Sequence, residues 1–169
     1  MSLNELLFRF QHELRKRRWR HEAARDMDGS PPLADCKSIR QEPIALHLPL
    51  EHAEARALLA EADSYLRHEW HFFGLSGVTE QPINWHADPT SGVIAPAKFA
   101  FDINYRDPSV VGNIKVTWEK NRHHHLTVLA VAYALTKNER YSAEVADQIL
   151  DWVRQNPYLI GVNWNQALE

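Results

Sequence analysis

The sequence predicts a mainly α-helical fold, and three observations support this class. Apolar residues recur every three or four positions in four separate segments, which is the spacing of one face of a helix. The last two segments are separated only by Lys137 and Asn138, so we expect them to pack as an antiparallel hairpin. Residues 78–117 lack this spacing and contain four prolines, so we expect an ordered loop region there.

The first helical segment combines an apolar stripe with concentrated positive charge. Residues 1–25 contain seven Lys or Arg and three Glu, a net charge of +4 in a chain whose formal net charge is −3. Such a basic amphipathic helix can contact a membrane surface or an anionic glycan, or it can pack its stripe against a core. We favour packing, because most amphipathic stripes face a core. The stripe comprises Leu3, Leu6, Leu7, Phe10 and Leu14.

Three further helices are predicted. The second is expected over about 52–70, the third over about 118–136 and the fourth over about 139–155. The fourth should end at Asn156, because a proline such as Pro157 disfavours helix at the residue before it.

The chain is predicted to contain three regions. Residues 27–51 include Gly29 and four prolines, a composition that favours an extended connector. The regions are therefore a basic amphipathic helix over 1–26, this connector, and a helical domain over 52–169.

Several classes of protein are disfavoured by composition. No run of about 18 apolar residues is present, so no transmembrane segment is expected. The apolar residues of the first segment precede its charges, the reverse of a secretory signal, which at face value indicates a cytoplasmic protein. The single cysteine, Cys36, allows no intramolecular disulfide. Basic residues are concentrated in one helix rather than spread over a face, so no nucleic-acid partner is expected.

Four short motifs follow one another along the second half of the chain. They are Ile-Asn-Trp-His-Ala-Asp-Pro at 83–89, Ile-Asn-Tyr-Arg-Asp at 103–107, Lys-Val-Thr-Trp-Glu-Lys-Asn-Arg-His at 115–123 and Asn-Pro-Tyr-Leu-Ile-Gly-Val-Asn-Trp at 156–164. With Phe73 and Gly74 ahead of them, their order and spacing over about 65–169 resemble the N-terminal toroid of heparinase II/III-like polysaccharide lyases and related alginate-lyase-like proteins.

This resemblance implies a partial (α/α) toroid of antiparallel helical hairpins, a following β-sandwich domain and β-elimination of uronic-acid-containing polysaccharides. The family's catalytic Asn, Tyr and His lie on later helices, so the resemblance implies no catalytic residue in this chain. The last residues look like the first turn of another helix, so further toroid helices are expected in the parent protein. We expect the N-terminal part of a lyase, inactive by itself; the alternative is a non-catalytic acidic-glycan-binding or scaffold module.

The partner that the resemblance implies is an acidic polysaccharide, which could be a glycosaminoglycan, alginate or a bacterial exopolysaccharide. Family members are often exported, so a periplasmic or envelope location stands beside the cytoplasmic one. No cofactor is expected, because the sequence has neither a phosphate-binding loop nor a dinucleotide fingerprint.

Arg122 is the first candidate for a substrate contact. Its guanidinium can bind a carboxylate or sulfate through two hydrogen bonds, although it can instead pair with Glu119 three residues earlier. His123 follows it and is the histidine expected to face the substrate-binding groove of the toroid. The run of three histidines at 123–125 is not expected to bind a metal, because consecutive helical residues point about 100° apart.

The remaining candidates lie within the other motifs. Trp85 and Trp164 can stack on sugar rings or lock the loop against the helices. Asn84 and Asn163 can contact sugar hydroxyls or cap turns. Tyr105 can donate a hydrogen bond to a sugar oxygen or fill a gap in the core. Both interpretations stay open for each residue.

Overall fold

The computed structural model describes residues 3–26, 49–72, 74–79 and 81–165, and this part of the protein is mainly helical, as predicted. Most of the expected connector with Cys36, together with Phe73 and residues 166–169, lies outside the described residues. In chain order the elements are α1 (Leu3–Asp26), α2 (Ala53–Leu66), β1 (Glu69–Phe72), β2 (Leu75–Thr79), a 3₁₀ turn (Ala100–Asp102), α3 (Pro108–Val111), α4 (Ile114–Asn121), α5 (His124–Thr136), α6 (Glu139–Gln155) and a second 3₁₀ turn (Val162–Trp164).

The helical hairpin predicted at the end of the chain is formed by α5 and α6. Lys137 ends α5 in the left-handed conformation, with a φ of 57°. The side chain of Asn138 then caps α6 by accepting a hydrogen bond from the backbone N–H of Arg140. Helix α2 packs against this hairpin and completes a small apolar core. That core contains Ala62, Tyr65, Leu126, Leu129, Ala132 and Tyr141.

The second helix is shorter than predicted. It ends at Leu66, and after a turn at His68, which has a φ of 55°, residues 69–72 form a strand paired antiparallel with β2. Trp70 is therefore a strand residue, although it is buried as its place in the apolar pattern required. The apolar spacing correctly predicted that the Trp70 side chain is buried, but burial alone does not distinguish a helix from a strand.

The third helix begins earlier than predicted and is interrupted. Its first part, α4, starts at Ile114, and the second part, α5, starts at His124. Between them His123 adopts a left-handed conformation with a φ of 58°, so the chain changes direction there. Apart from the end of β2 and the start of α4, the described residues of the predicted loop region contain a 3₁₀ turn and the four-residue α3 and are otherwise irregular.

Where its side chains are described, the apolar stripe of α1 does not pack, contrary to our expectation; the side chains of Leu3 and Leu6 lie outside the described part. Trp19 and Ala23, near the end of the helix, pack against Phe99 and Ile160, but Leu7 remains 55% exposed. A helix of this length extends about 36 Å, which carries its first turns beyond the core that holds its end. Phe10 and Leu14 are likewise exposed.

Replacing Leu129 by alanine should lower the free energy of unfolding by about 2–5 kcal/mol, because it leaves a cavity in the core that α2, α5 and α6 share. The Leu129 side chain is 0% exposed. Leu14→Ala is the matched control: it makes the same change at a side chain that is 48% exposed, and should cost less than about 0.5 kcal/mol. Denaturant unfolding followed by circular dichroism measures both, and equal effects would contradict this core.

Candidate functional site

Side chains from α4 and α6 hold the loop that carries the first motif. The Lys120 ammonium is buried and donates hydrogen bonds to the carbonyl oxygens of Asn84, at 2.6 Å, and Ala87, at 3.1 Å. Gln155 of α6 donates to the carbonyl oxygen of Ile83 at 2.8 Å. The Asn84 carbonyl also accepts from the backbone N–H of Ala87 at 3.1 Å, so these side chains add to the hydrogen bonds that the loop makes within itself.

Asn121 lies at the centre of this network and is only 3% exposed. Its amide nitrogen donates to the carbonyl oxygens of Trp85, at 2.9 Å, and Thr117, at 2.7 Å. Its amide oxygen accepts from the indole N–H of Trp152 at 2.7 Å and from the amide of Asn163 at 2.9 Å. A single buried side chain therefore joins the first, third and fourth motifs, and all four of its hydrogen-bonding positions are used.

Asp88 fixes the turn that follows the first motif. Burial raises the pKa of its carboxyl, but hydrogen bonds from Ser91, Thr90 and the backbone N–H of Asn113 outweigh that effect and lower the pKa to about 2. Gly112 passes so close that a Cβ there would lie 2.6 Å from a carboxylate oxygen of Asp88. This carboxylate is thus a structural anchor of the loop.

Two predicted contact residues belong to the buried network. Trp85 is 0% exposed, and its indole N–H donates to Asp151 of α6 at 3.0 Å. Asn163 is 1% exposed and donates to Asn156 at 2.7 Å as well as to Asn121. Asn84 is half-buried, and its side chain accepts a hydrogen bond from the backbone N–H of His86. In this conformation all three side chains hold the loop, which was the structural alternative for each.

The break between α4 and α5 borders an open pocket of about 620 Å³. Arg122, His123 and His124 form one side of it, and the last turns of α6 form the other. Two of the predicted substrate contacts, Arg122 and His123, therefore lie together at this pocket. From α6 the pocket is lined by Ile149, Trp152 and Val153.

The charge of this pocket, which we call the α4–α6 pocket, is moderate. Arg122 donates to a carboxylate oxygen of Glu119 at 2.8 Å, which is the ion pair weighed in the sequence. Burial lowers the pKa of His123 to about 4, so its ring is neutral at neutral pH. The ring lies 5.2 Å from that of Trp85 and 5.5 Å from that of Trp152, and its buried Nδ1 has no hydrogen-bond partner among the described residues.

The last two predicted residues lie elsewhere. Trp164 is half-buried, with its ring 6.0 Å from that of Trp152 and 5.2 Å from that of Tyr158. Tyr105 lines a second pocket with Trp118. Trp152 of the α4–α6 pocket was not among the predicted contacts, because its place on the apolar face of α6 indicated only core packing.

The three consecutive histidines at 123–125 do not lie on one continuous helix. The 100° angle between consecutive helical residues therefore does not decide whether they can bind a metal. His123 precedes α5, whereas His125 is buried and contacts Gln148 at 2.7 Å. Among the described residues no three His, Cys, Asp or Glu side chains are grouped to hold a metal ion. Of the helices in the same part of the chain, none is long and apolar enough to span a membrane.

The described elements form a mainly helical domain whose loop region is held by the Asn121 network. Residues 36–168 match the family described as Heparinase II/III N-terminus, and the chain belongs to that family. A heparin-sulfate lyase of Bacteroides stercoris is 34% identical over 56 residues, which is 33% of this chain and 8% of that lyase. No solved structure matches. The heparinase resemblance inferred from the four motifs is therefore confirmed.

Asn121→Asp should lower the free energy of unfolding by about 3 kcal/mol or more, because a carboxylate cannot donate to the carbonyls of Trp85 and Thr117. Asn104→Asp is the matched control, since Asn104 is exposed and its side-chain oxygen acts only as an acceptor, from the N–H of Arg106. Denaturant titration compares the two variants. If they lose similar amounts, the Asn121 network does not hold the motifs together.

Stability should fall as the pH decreases from about 6.5 to about 4. Burial lowers the pKa of His125 from 6.5 to about 4, so in this window the unfolded chain binds a proton that the folded chain excludes. The expected contribution is about 3 kcal/mol. Unfolding of His125→Gln across this range should show a shallower pH dependence than the wild type. His52→Gln, which changes an exposed histidine, should keep the wild-type slope; equal slopes for all three would contradict this origin.

Proposed function

We propose that this chain supplies substrate-binding surface to a polysaccharide lyase that cleaves uronic-acid-containing polysaccharides by β-elimination. The observation that carries the proposal is the α4–α6 pocket, where Arg122 and His123 stand beside Trp152. Membership of the Heparinase II/III N-terminus family and similarity to a heparin-sulfate lyase support an acidic glycan as the ligand.

The side chains of the pocket suit an acidic sugar. A guanidinium has five N–H donors, and in the described structure Arg122 gives one of them to Glu119, leaving others to bind a carboxylate or sulfate. The Trp152 ring and the Ile149 side chain offer apolar surface for the face of a pyranose ring. Neutral His123 can accept a hydrogen bond from a sugar hydroxyl.

We propose further that the chain binds such a polysaccharide without cleaving it. β-Elimination requires a base for the proton beside the carboxylate and an acid for the leaving oxygen. The family resemblance assigns the catalytic Asn, Tyr and His to other helices of the lyase.

The alternative function is a glycan-binding or scaffold module in a protein that cleaves nothing. The same pocket would serve it, and the relative that supports lyase activity aligns over only 8% of its own length. The two functions differ in whether a longer protein containing this chain generates unsaturated uronate ends, which absorb ultraviolet light.

Arg122→Ala should weaken binding of a heparin- or alginate-derived oligosaccharide about tenfold, because it removes the cation at the α4–α6 pocket. Arg140→Ala is the matched control: Arg140 is exposed in the first turn of α6, about 13 Å along the helix from Ile149. Isothermal titration calorimetry measures both affinities.

Ultraviolet absorbance during the same incubations tests for cleavage, and none is expected from this chain. An Arg122→Ala variant that binds like Arg140→Ala would reject the pocket as the ligand site. A rise in absorbance with the wild-type chain would contradict binding without cleavage.

A further inference from the structure

A second pocket, of about 520 Å³, lies at the start of α4, and none of the contacts that build the Asn121 network uses its exposed side chains. Tyr105 and Trp118 provide its aromatic surface, and Arg106 and Lys115 provide two positive charges. We call it the α4 N-terminal pocket. Of its lining residues, Tyr105 was the one predicted from the sequence as a substrate contact.

The aromatic surface is held in place by the fold. The rings of Tyr105 and Trp118 lie 5.8 Å apart, and both side chains are only half-buried. The indole N–H of Trp118 donates to the carbonyl oxygen of Val162 at 3.1 Å, which fixes the orientation of the ring. An ordered, partly exposed pair of aromatic rings is a surface on which an apolar sugar face can pack.

The two cations are not neutralised by carboxylates in the described structure. The Arg106 guanidinium lies 5.5 Å from the centre of the Tyr105 ring, and the adjacent carboxylate of Asp107 is turned to Ser109, from which it accepts two hydrogen bonds. Lys115 is exposed, and Glu119, one turn along α4, pairs with Arg122 instead. No ion pair of Arg106 or Lys115 occurs within the described residues.

This arrangement contrasts with the α4–α6 pocket. There the guanidinium of Arg122 already has a carboxylate partner and His123 is neutral, whereas Arg106 and Lys115 add two charges with no such partner. An anion should therefore bind more strongly at the α4 N-terminal pocket, because its charge does not compete with a resident carboxylate.

We propose that the α4 N-terminal pocket is a second subsite for an acidic sugar, with Tyr105 and Trp118 against the ring and Arg106 and Lys115 on its carboxylate or sulfate. The choice of a sugar rests on the proposed function; the choice of an anion rests on the two cations. Lys115, Trp118 and Arg122 are spaced along one face of α4, with Lys115 and Arg122 about 10 Å apart along the helix, so we expect one oligosaccharide to reach both pockets.

The test is calorimetric titration of the whole chain with an alginate tetrasaccharide, which carries only carboxylates, and with a heparin tetrasaccharide, which also carries sulfates. The double variant Arg106→Ala with Lys115→Ala should lose about tenfold or more in affinity. The matched control is Lys137→Ala with Arg140→Ala, which removes the same charge at the α5–α6 turn and should change affinity less than about twofold.

A charge-preserving exchange, Arg106→Lys with Lys115→Arg, should retain most of the affinity. The double alanine variant should unfold at the same denaturant concentration as the wild type, because both side chains are exposed. If the alanine pair binds like its control while Arg122→Ala is weakened, the second subsite is wrong and the proposed function stands. If only the alanine pair is weakened, the second subsite stands and Arg122 loses its assignment. If no variant changes the affinity, both are overturned.

Discussion

The described structure depends on the buried amide of Asn121. Three stretches of the chain meet there, and each brings a polar group: the Trp85 carbonyl, the Trp152 indole N–H and the Asn163 amide. A side-chain amide donates two hydrogen bonds through its nitrogen and accepts through its oxygen, so it satisfies both kinds of group. Without it, a loop of irregular backbone could not be buried against helices without losing hydrogen bonds.

The position of this amide has a consequence for the surface. Asn121 is the last residue of α4, and His123, two residues later, has a left-handed conformation. The helical path from α4 to α5 is therefore interrupted beside the network. The interruption brings Arg122 and His123 to the rim of the α4–α6 pocket, while the N-terminal end of α4 borders the second pocket. The element that organises the core therefore also positions the proposed sugar contacts.

Sequence patterns predicted those parts of the fold that local interactions decide. Helix α6 has its predicted bounds, because Asn138 caps its start and Pro157 follows its end. The predictions for Arg122 and Trp85 were less complete. Both lie in motifs, but Arg122 is on the surface and Trp85 has no exposed area. The motifs could not show this difference, because the burial of Trp85 depends on neighbours about 30 to 80 residues away.

The sequence by itself determined the helical class, the hairpin of α5 and α6, and, through four ordered motifs, the heparinase family. Only the tertiary structure decided that Trp70 lies in a strand, that the third helix breaks at His123, and that Trp85 and Asn163 are internal. The physical reason is that apolar spacing reports which side chains leave water. Only the folded chain determines which buried backbone groups need a hydrogen-bond partner, and which distant side chain provides it.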